Sequence, residues 1–306
     1  MLTPTEELLM TYETILYDTD GPIATITLNR PEALNTIVPQ MPGEVEHAVN
    51  AAVWDAEVKV IVLRGAGRAF CAGYDFGGGF EYGEEWFNTD GRWDPGKDMT
   101  LVTAHATSPH HKFMSIWRSP KPVIAQVHGW CVGGGSDYAL CADLIVASED
   151  AQIGTPYSRV WGAYLSGMWI YRLGLARAKH HALTGRPLSG REAAEVELIN
   201  EAVPFEQLEA RVRERAEELA ALPAAQLAAQ KLMVNQAYEN MGLASTQTLG
   251  PILDGIMRNI PDAHAFIDHA AEHGVPSAVA QRDGRFGDYS QAPADRKPDP
   301  GNVIQP

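Results

Sequence analysis

Residues 122–147 read PVIAQVHGWCVGGGSDYALCADLIVA, and the fold follows from them. PVIAQV (122–127) is an apolar run of strand length, suited to a strand buried on both faces. A glycine-bearing turn follows, from His128 through Gly133, Gly134 and Gly135 to Asp137. A short helical segment and a second apolar run, DLIVA (143–147), come next. Strand, tight turn, helix and strand in that order are the parts of an α/β unit with parallel strands. Three adjacent glycines let a ligand atom approach the backbone closely. The start of a helix carries unpaired N–H groups there.

The same order appears upstream. VKVIVL (58–63) is another apolar run, followed by a turn from Gly67 to Asp75, Gly-Arg-Ala-Phe-Cys-Ala-Gly-Tyr-Asp. Residues 12–28 read as a hairpin turning at Asp20-Gly21, and residues 41–54 carry helical apolar spacing. LINEAV (198–203) is a further apolar run. The alternation predicts ββα or βαβ units on a mostly parallel sheet. After Gly154 the pattern turns helical. Ser189 with Glu192 predicts a capping box, and residues 204–221, 224–240 and about 246–272 read as helices. From about residue 284 the chain is polar and proline-rich, a mobile or surface-wrapping tail.

Composition narrows the function. A chain of 306 residues with 45% hydrophobic and 21% charged residues buries a substantial core without staples. The net charge of −15 argues against a nucleic-acid partner. No apolar run is long enough to span a membrane. MLTPTEELLM at the start lacks a basic region and is not read as a signal peptide. Cys71, Cys131 and Cys141 form no CxxC, and the histidine spacing offers no zinc pattern. A reducing, cytoplasmic compartment, no metal and no cofactor are expected.

Two glycine turns side by side can offer two N–H donors to one oxygen, an oxyanion hole. With them, three strings carry a resemblance: ITLNRPEALN, VIVLRGAGRAFCAGYD and the stretch 119–154, continued by LTGRPLSGREAAEVELINEAVP. Together they resemble the crotonase superfamily, the enoyl-CoA hydratases, isomerases and relatives that act on acyl-CoA thioesters. The resemblance covers roughly residues 12–270. It implies an α/β fold, a crotonase-like spiral of ββα units over residues 1–200, a C-terminal helical oligomerisation region over 201–283, and the tail 284–306. It implies an acyl-CoA substrate and a homotrimer or dimer of trimers. The oxyanion donors it implies are the backbone N–H groups of Tyr74 and Gly134. For coenzyme A it points to Arg30, Arg68, Ala72, Asp75 and Gly133.

The carboxylates depart from the pattern. Where the family has its first catalytic glutamate stands Asp137, one helical turn after Gly134. Where the second would follow the proline of Ile153-Gly-Thr-Pro stands Tyr157, and Leu165 occupies an alternative position eight residues on. Asp137 and Tyr157 are therefore the expected catalytic pair. Arg159, close in sequence, is expected to lower the Tyr157 pKa, and Trp161 to lie near the site. His105, His110 and His111 lie where the family builds its acyl pocket. His128 and Asp143 read as structural, the cysteines as packing residues, and Lys97 as a solvated charge. The aromatic and glycine-rich residues 76–98 read either as a binding loop or as a surface excursion. The activity expected is enoyl-CoA hydratase or isomerase. Two rivals stay open: a divergent hydrolase or carbon–carbon lyase on a bulky acyl-CoA, and a non-catalytic acyl-CoA-binding protein.

Overall fold

A computed structural model describes residues 11–75, 87–104 and 108–289. Residues 76–86 of the aromatic stretch, His105 and the tail from residue 290 lie outside the described residues. The chain opens with an antiparallel hairpin, β1 (Ile15–Asp20) and β2 (Ile23–Leu28), then helix α1 (Met41–Trp54) and strand β3 (Val60–Gly65). A small hairpin, β4 (Asn88–Thr89) and β5 (Arg92–Trp93), precedes α2 (Pro95–Thr103) and α3 (Pro109–Arg118). The stretch that opened the argument supplies β6 (Val123–Val127), β7 (Trp130–Val132), α4 (Gly134–Leu140), β8 (Leu144–Ser148) and β9 (Gln152–Gly154). Then come α5 (Met168–Thr184), β10 (Leu188–Ser189), α6 (Gly190–Glu195) and β11 (Glu201–Val203). Helices α7 (Phe205–Ala220), α8 (Ala224–Asn240), α9 (Leu243–Met257), α10 (Pro261–His273) and α11 (Val275–Asp283) complete the described chain.

The main sheet runs β1-β2-β3-β6-β8-β11, parallel from β2 onward. Its inner strands β2, β3, β6 and β8 are mostly apolar on both sides because both faces are covered. In β3, Ile61 and Leu63 face the larger core, while Val60 and Val62 face α7. α7 answers with Leu208, Val212, Ala216 and Ala220 at four-residue spacing. The sheet layer thus continues past residue 200, through β11 and α7. The capping box at Ser189 and Glu192 forms as predicted. The helical stretch near 246–272 is two helices, α9 and α10, because Pro261 starts a new one and cannot continue the old.

A second layer positions the site. β7 pairs in parallel with β9, and β10 flanks β9. The turn after β3 adds to the same layer: Cys71 bridges to Cys131, donating its N–H to Trp130 O at 3.0 Å. The two glycine turns that are about sixty residues apart in sequence therefore lie side by side.

Candidate active site

Gly73 and Gly133 have φ of +99° and +56°, the left-handed region, and they face each other. A Cβ on Gly73 would lie 3.0 Å from Val132 O and 4.0 Å from Gly133 Cα. Tyr74 follows the first turn and lays its ring over the second, where a Cβ on Gly134 would lie 2.7 Å from the Tyr74 ring. Gly134 is the first residue of α4, so its N–H lies outside the helix's own hydrogen-bond ladder. The structure thus brings Tyr74, Gly133 and Gly134 together.

Asp137 sits one turn into α4 with 0% exposure. Its Oδ2 accepts from the Tyr157 hydroxyl at 3.0 Å. Its Oδ1 accepts from the Ser166 N–H at 3.1 Å and hydroxyl at 2.8 Å. Burial pushes the Asp137 carboxyl up to about 6, against the lowering effect of these donors. All three donors are neutral. A buried carboxyl with its proton poised near neutrality is suited to take up and return a proton.

Tyr157 heads a short 3-10 turn, Tyr157–Arg159, just after β9. Its ring is packed against Gly162, whose Cβ would lie 2.3 Å away, and its hydroxyl end approaches Gly133. Burial, with the Asp137 charge beside it, raises the phenol well above its ordinary range. The expected lowering by Arg159 is overturned. Arg159 points away from Asp137 and pairs with Asp283 at 3.1 Å and Asp288 at 2.7 Å. Tyr157 therefore acts as a neutral O–H donor, not as a phenolate base. Trp161 packs edge-on against Phe266 of α10, at 5.6 Å between ring centres.

Two partners escaped the sequence reading. Ser166 follows Leu165, the position read as lacking a base, and reaches Asp137 from 29 residues away. Gln247 of α9 is buried and donates to Ser166 O at 3.1 Å, so the C-terminal helices brace the same carboxyl. A serine before a glycine and a glutamine inside a helix are ordinary in sequence, and only their neighbours mark them.

The residues assigned to coenzyme A fall into two groups. Arg30 Nη1 pairs with Asp75 Oδ2 at 2.8 Å, and Thr36 joins both. Ala72 is held by its N–H to Leu34 O at 3.0 Å, next to the same loop. Arg30, Ala72 and Asp75 are thus gathered on one rim, while Arg68 is exposed on the turn after β3. Lys97 is exposed, with Nζ on Asn88 O at 2.8 Å, as a solvated charge.

His128, Asp143, His110, Cys71 and Cys131 read as structural. His128 Nε2 meets Gly67 O at 2.8 Å and ties one glycine turn to the next. Asp143 accepts from Val123 N–H and from Lys231 Nζ, each at 2.7 Å. His110 is buried, which pushes it down to about 3 and leaves the ring neutral at physiological pH. Burial raises the Cys71 thiol to about 12 and Cys131 well above its ordinary range, so neither is an activated nucleophile. Among the described residues no cluster of histidine, cysteine or carboxylate side chains could hold a metal ion. No helix among them is long and apolar enough to cross a membrane.

The chain is similar to known proteins along most of its length. Residues 18–249 match the family model of enoyl-CoA hydratase/isomerase. A probable enoyl-CoA hydratase of Rhodobacter capsulatus is 34% identical over 234 residues, covering 76% of this chain and 84% of that protein. The 1,2-epoxyphenylacetyl-CoA isomerase of Escherichia coli is 31% identical, covering 74% of this chain and 84% of that protein. A crystal structure of an enoyl-CoA hydratase from Mycobacterium smegmatis superposes with a TM-score of 0.85 at 38% identity, covering 93% of this chain and 98% of that one.

Proposed function

The chain belongs to the enoyl-CoA hydratase/isomerase family, and on that premise we propose that it works on an acyl-CoA thioester through a single carboxylate, Asp137, at a two-donor oxyanion hole. The thioester oxygen would sit between the Tyr74 and Gly134 N–H groups. Negative charge that develops there in the enolate is stabilised by preset donors, each contributing about 3 kcal/mol. Asp137 moves the proton. Tyr157 and Ser166 hold the carboxylate in place, and Tyr157 supplies a neutral O–H beside the reacting carbons. The observation that carries the reading is the buried Asp137 carboxyl, poised near 6 and hydrogen-bonded only by neutral groups.

One carboxylate takes a proton from one carbon and returns it to another, which is double-bond isomerisation. It also serves syn hydration, taking a proton from water as oxygen adds to one carbon and returning it to the next. The reaction uses no cofactor beyond the coenzyme A of its substrate. Arg30, Asp75, Ala72 and Gly133 would border the coenzyme A, with Arg68 at its phosphates. A cytoplasmic enzyme fits the three free, buried thiols. A homotrimer, or a dimer of trimers, would cover the exposed Leu232, Met233 and Val234 of α8 and Leu249 and Leu253 of α9.

A second reading concerns the acyl group. Tyr157 and Tyr164 meet edge-on at 6.2 Å between ring centres, and Tyr164 stacks on Trp169 at 5.8 Å. This aromatic row beside the candidate pair favours a bulky or aromatic acyl group, and with it a divergent isomerase or carbon–carbon lyase. The experiment is incubation of the protein with straight-chain and aromatic enoyl-CoA thioesters in heavy-oxygen water, read by mass spectrometry. Hydration adds labelled oxygen, and isomerisation changes the double bond without mass gain. Asp137→Asn is expected to lower kcat by roughly a thousandfold with little change in KM, within the range for a proton-transferring group. Turnover that survives in Asp137→Asn would remove Asp137 from the chemistry. Tight acyl-CoA binding without turnover on any thioester would favour a binding protein.

A further inference from the structure

The turn that carries Tyr157 is held from behind by the last described residues. Arg159, two residues after Tyr157, is only 6% exposed in its side chain. Its Nη1 and Nη2 bind both oxygens of Asp288 at 2.7 and 2.8 Å, and Nη1 also meets Asp283 at 3.1 Å. Its Nε donates to Thr184 O at 3.0 Å. The guanidinium lies 4.0 Å from the centre of the Phe286 ring and 5.4 Å from that of Tyr289. Two-pronged pairing of this kind fixes the plane of the guanidinium as well as its place.

Tyr289 completes the grip. Its hydroxyl donates to Gly185 O at 2.9 Å, and its ring stacks on Trp130 at 6.3 Å and 26°. It leaves no room for a side chain at Gly154, where a Cβ would lie 2.1 Å from the Tyr289 oxygen. Trp130 opens β7, which leads into Gly133, and Gly154 O accepts the Gly133 N–H at 2.8 Å. Residues 283–289 therefore touch both chain segments that deliver the site, β7 to the glycine turn and β9 to Tyr157.

We propose that residues 283–289 form a strap that sets the Tyr157 hydroxyl on Asp137, with Arg159, Asp288 and Tyr289 as positioning residues. The inference rests on Asp137 and Tyr157 being the working pair proposed above. A purely structural role for the same contacts would change the melting temperature and leave the site's proton where it was. The groups facing Asp137 are Tyr157, Ser166, Tyr164, Cys131 and Cys141. Of these, Tyr157 is the one tied to the strap through its own turn.

The test is a double-mutant cycle in the full chain. Asp288→Asn and Tyr289→Phe are each made alone and with Tyr157→Phe. The readouts are the titration of the Asp137 carboxyl by carbon NMR and the kcat and KM of the best thioester. Asp288→Asn is expected to raise the Asp137 titration midpoint and lower kcat roughly tenfold, part of what a positioned proton-transfer group supplies. Tyr289→Phe is expected to act in the same direction by less. With Tyr157 already Phe, neither change should have any further effect. Equal effects in both backgrounds, or a lower melting temperature with an unmoved Asp137 titration, would overturn the strap. If Asp288→Asn does not fold, Tyr289→Phe decides by the same criteria. Should Tyr157→Phe leave kcat intact while Asp288→Asn still moves Asp137, the strap stands and the catalytic reading of Tyr157 falls.

Discussion

Asp137 and Asp143 stand six residues apart, at the start and just beyond the end of one short helix, and both are pushed upward by burial. Their partners differ. Asp143 meets a cation, Lys231 Nζ, at 2.7 Å. Asp283, fully enclosed, meets two, Arg159 and Arg282. Asp137 meets only O–H and N–H donors. A buried carboxylate beside a fixed cation is a structural joint, because removing either partner strands a charge. A buried carboxylate among neutral donors keeps an exchangeable proton near neutral pH, which is what proton transfer needs. On the function proposed above, this difference separates the proton-transferring carboxyl from structural ones that look alike in sequence.

Removing the cation from the structural joint tests the contrast most severely. Lys231→Met leaves Asp143 without its cation and is expected to cost about 3 kcal/mol of stability at neutral pH, measured by urea unfolding. A negligible change would mean that Asp143 is no better anchored than Asp137.

The opposite sign is expected at the site. The folded-state value of Asp137, about 6, lies above its ordinary 3.8, so the folded protein holds that proton more tightly than the unfolded chain. The stability this lends is full below about pH 4 and is lost as pH rises through about 6. Asp137→Asn, which stays uncharged, should therefore match the parent near pH 4 and exceed it above pH 7, by at most about 3 kcal/mol. Unfolding curves at pH 4.5 and 7.5 read this directly, and a variant less stable at both would end the idea that Asp137 is held at a cost.

A smaller effect sharpens the account of the neutral donors. Ser166→Ala removes one hydrogen bond to Asp137, and the acidic limb of the pH–rate profile should move up by about one pH unit. An unmoved limb would place Asp137 outside the rate-determining proton transfer.

Much of this was legible before folding. The runs at 58–63, 122–127 and 143–147 are apolar except at Lys59, Gln126 and Asp143, a pattern that a doubly covered strand tolerates, and they became β3, β6 and β8. Asp137 was legible through the family resemblance, which implies a carboxylate one helical turn after Gly134. The direction of Arg159 was not legible. Adjacency to Tyr157 suggested a shared environment, yet its side chain follows Asp283 and Asp288, more than 120 residues onward. Ser166 and Gln247 were missed for the same reason, since nothing local marks a residue whose importance lies in what it faces.

The sequence by itself determined the main strands of the large sheet, most of the helical segments and the two glycine turns, because hydrophobic period and backbone freedom act over a few residues. Beside the family resemblance it also set Asp137 and Tyr157 at the two positions where that resemblance implies carboxylates. Only the tertiary structure decided which carboxylate meets a cation and which meets neutral donors, that the Tyr157 phenol stays protonated, and that residues 283–289 pack against its turn. Those outcomes depend on burial and on partners brought together from distant parts of the chain, and electrostatic energy is set by distance and surroundings in space rather than by spacing along the sequence.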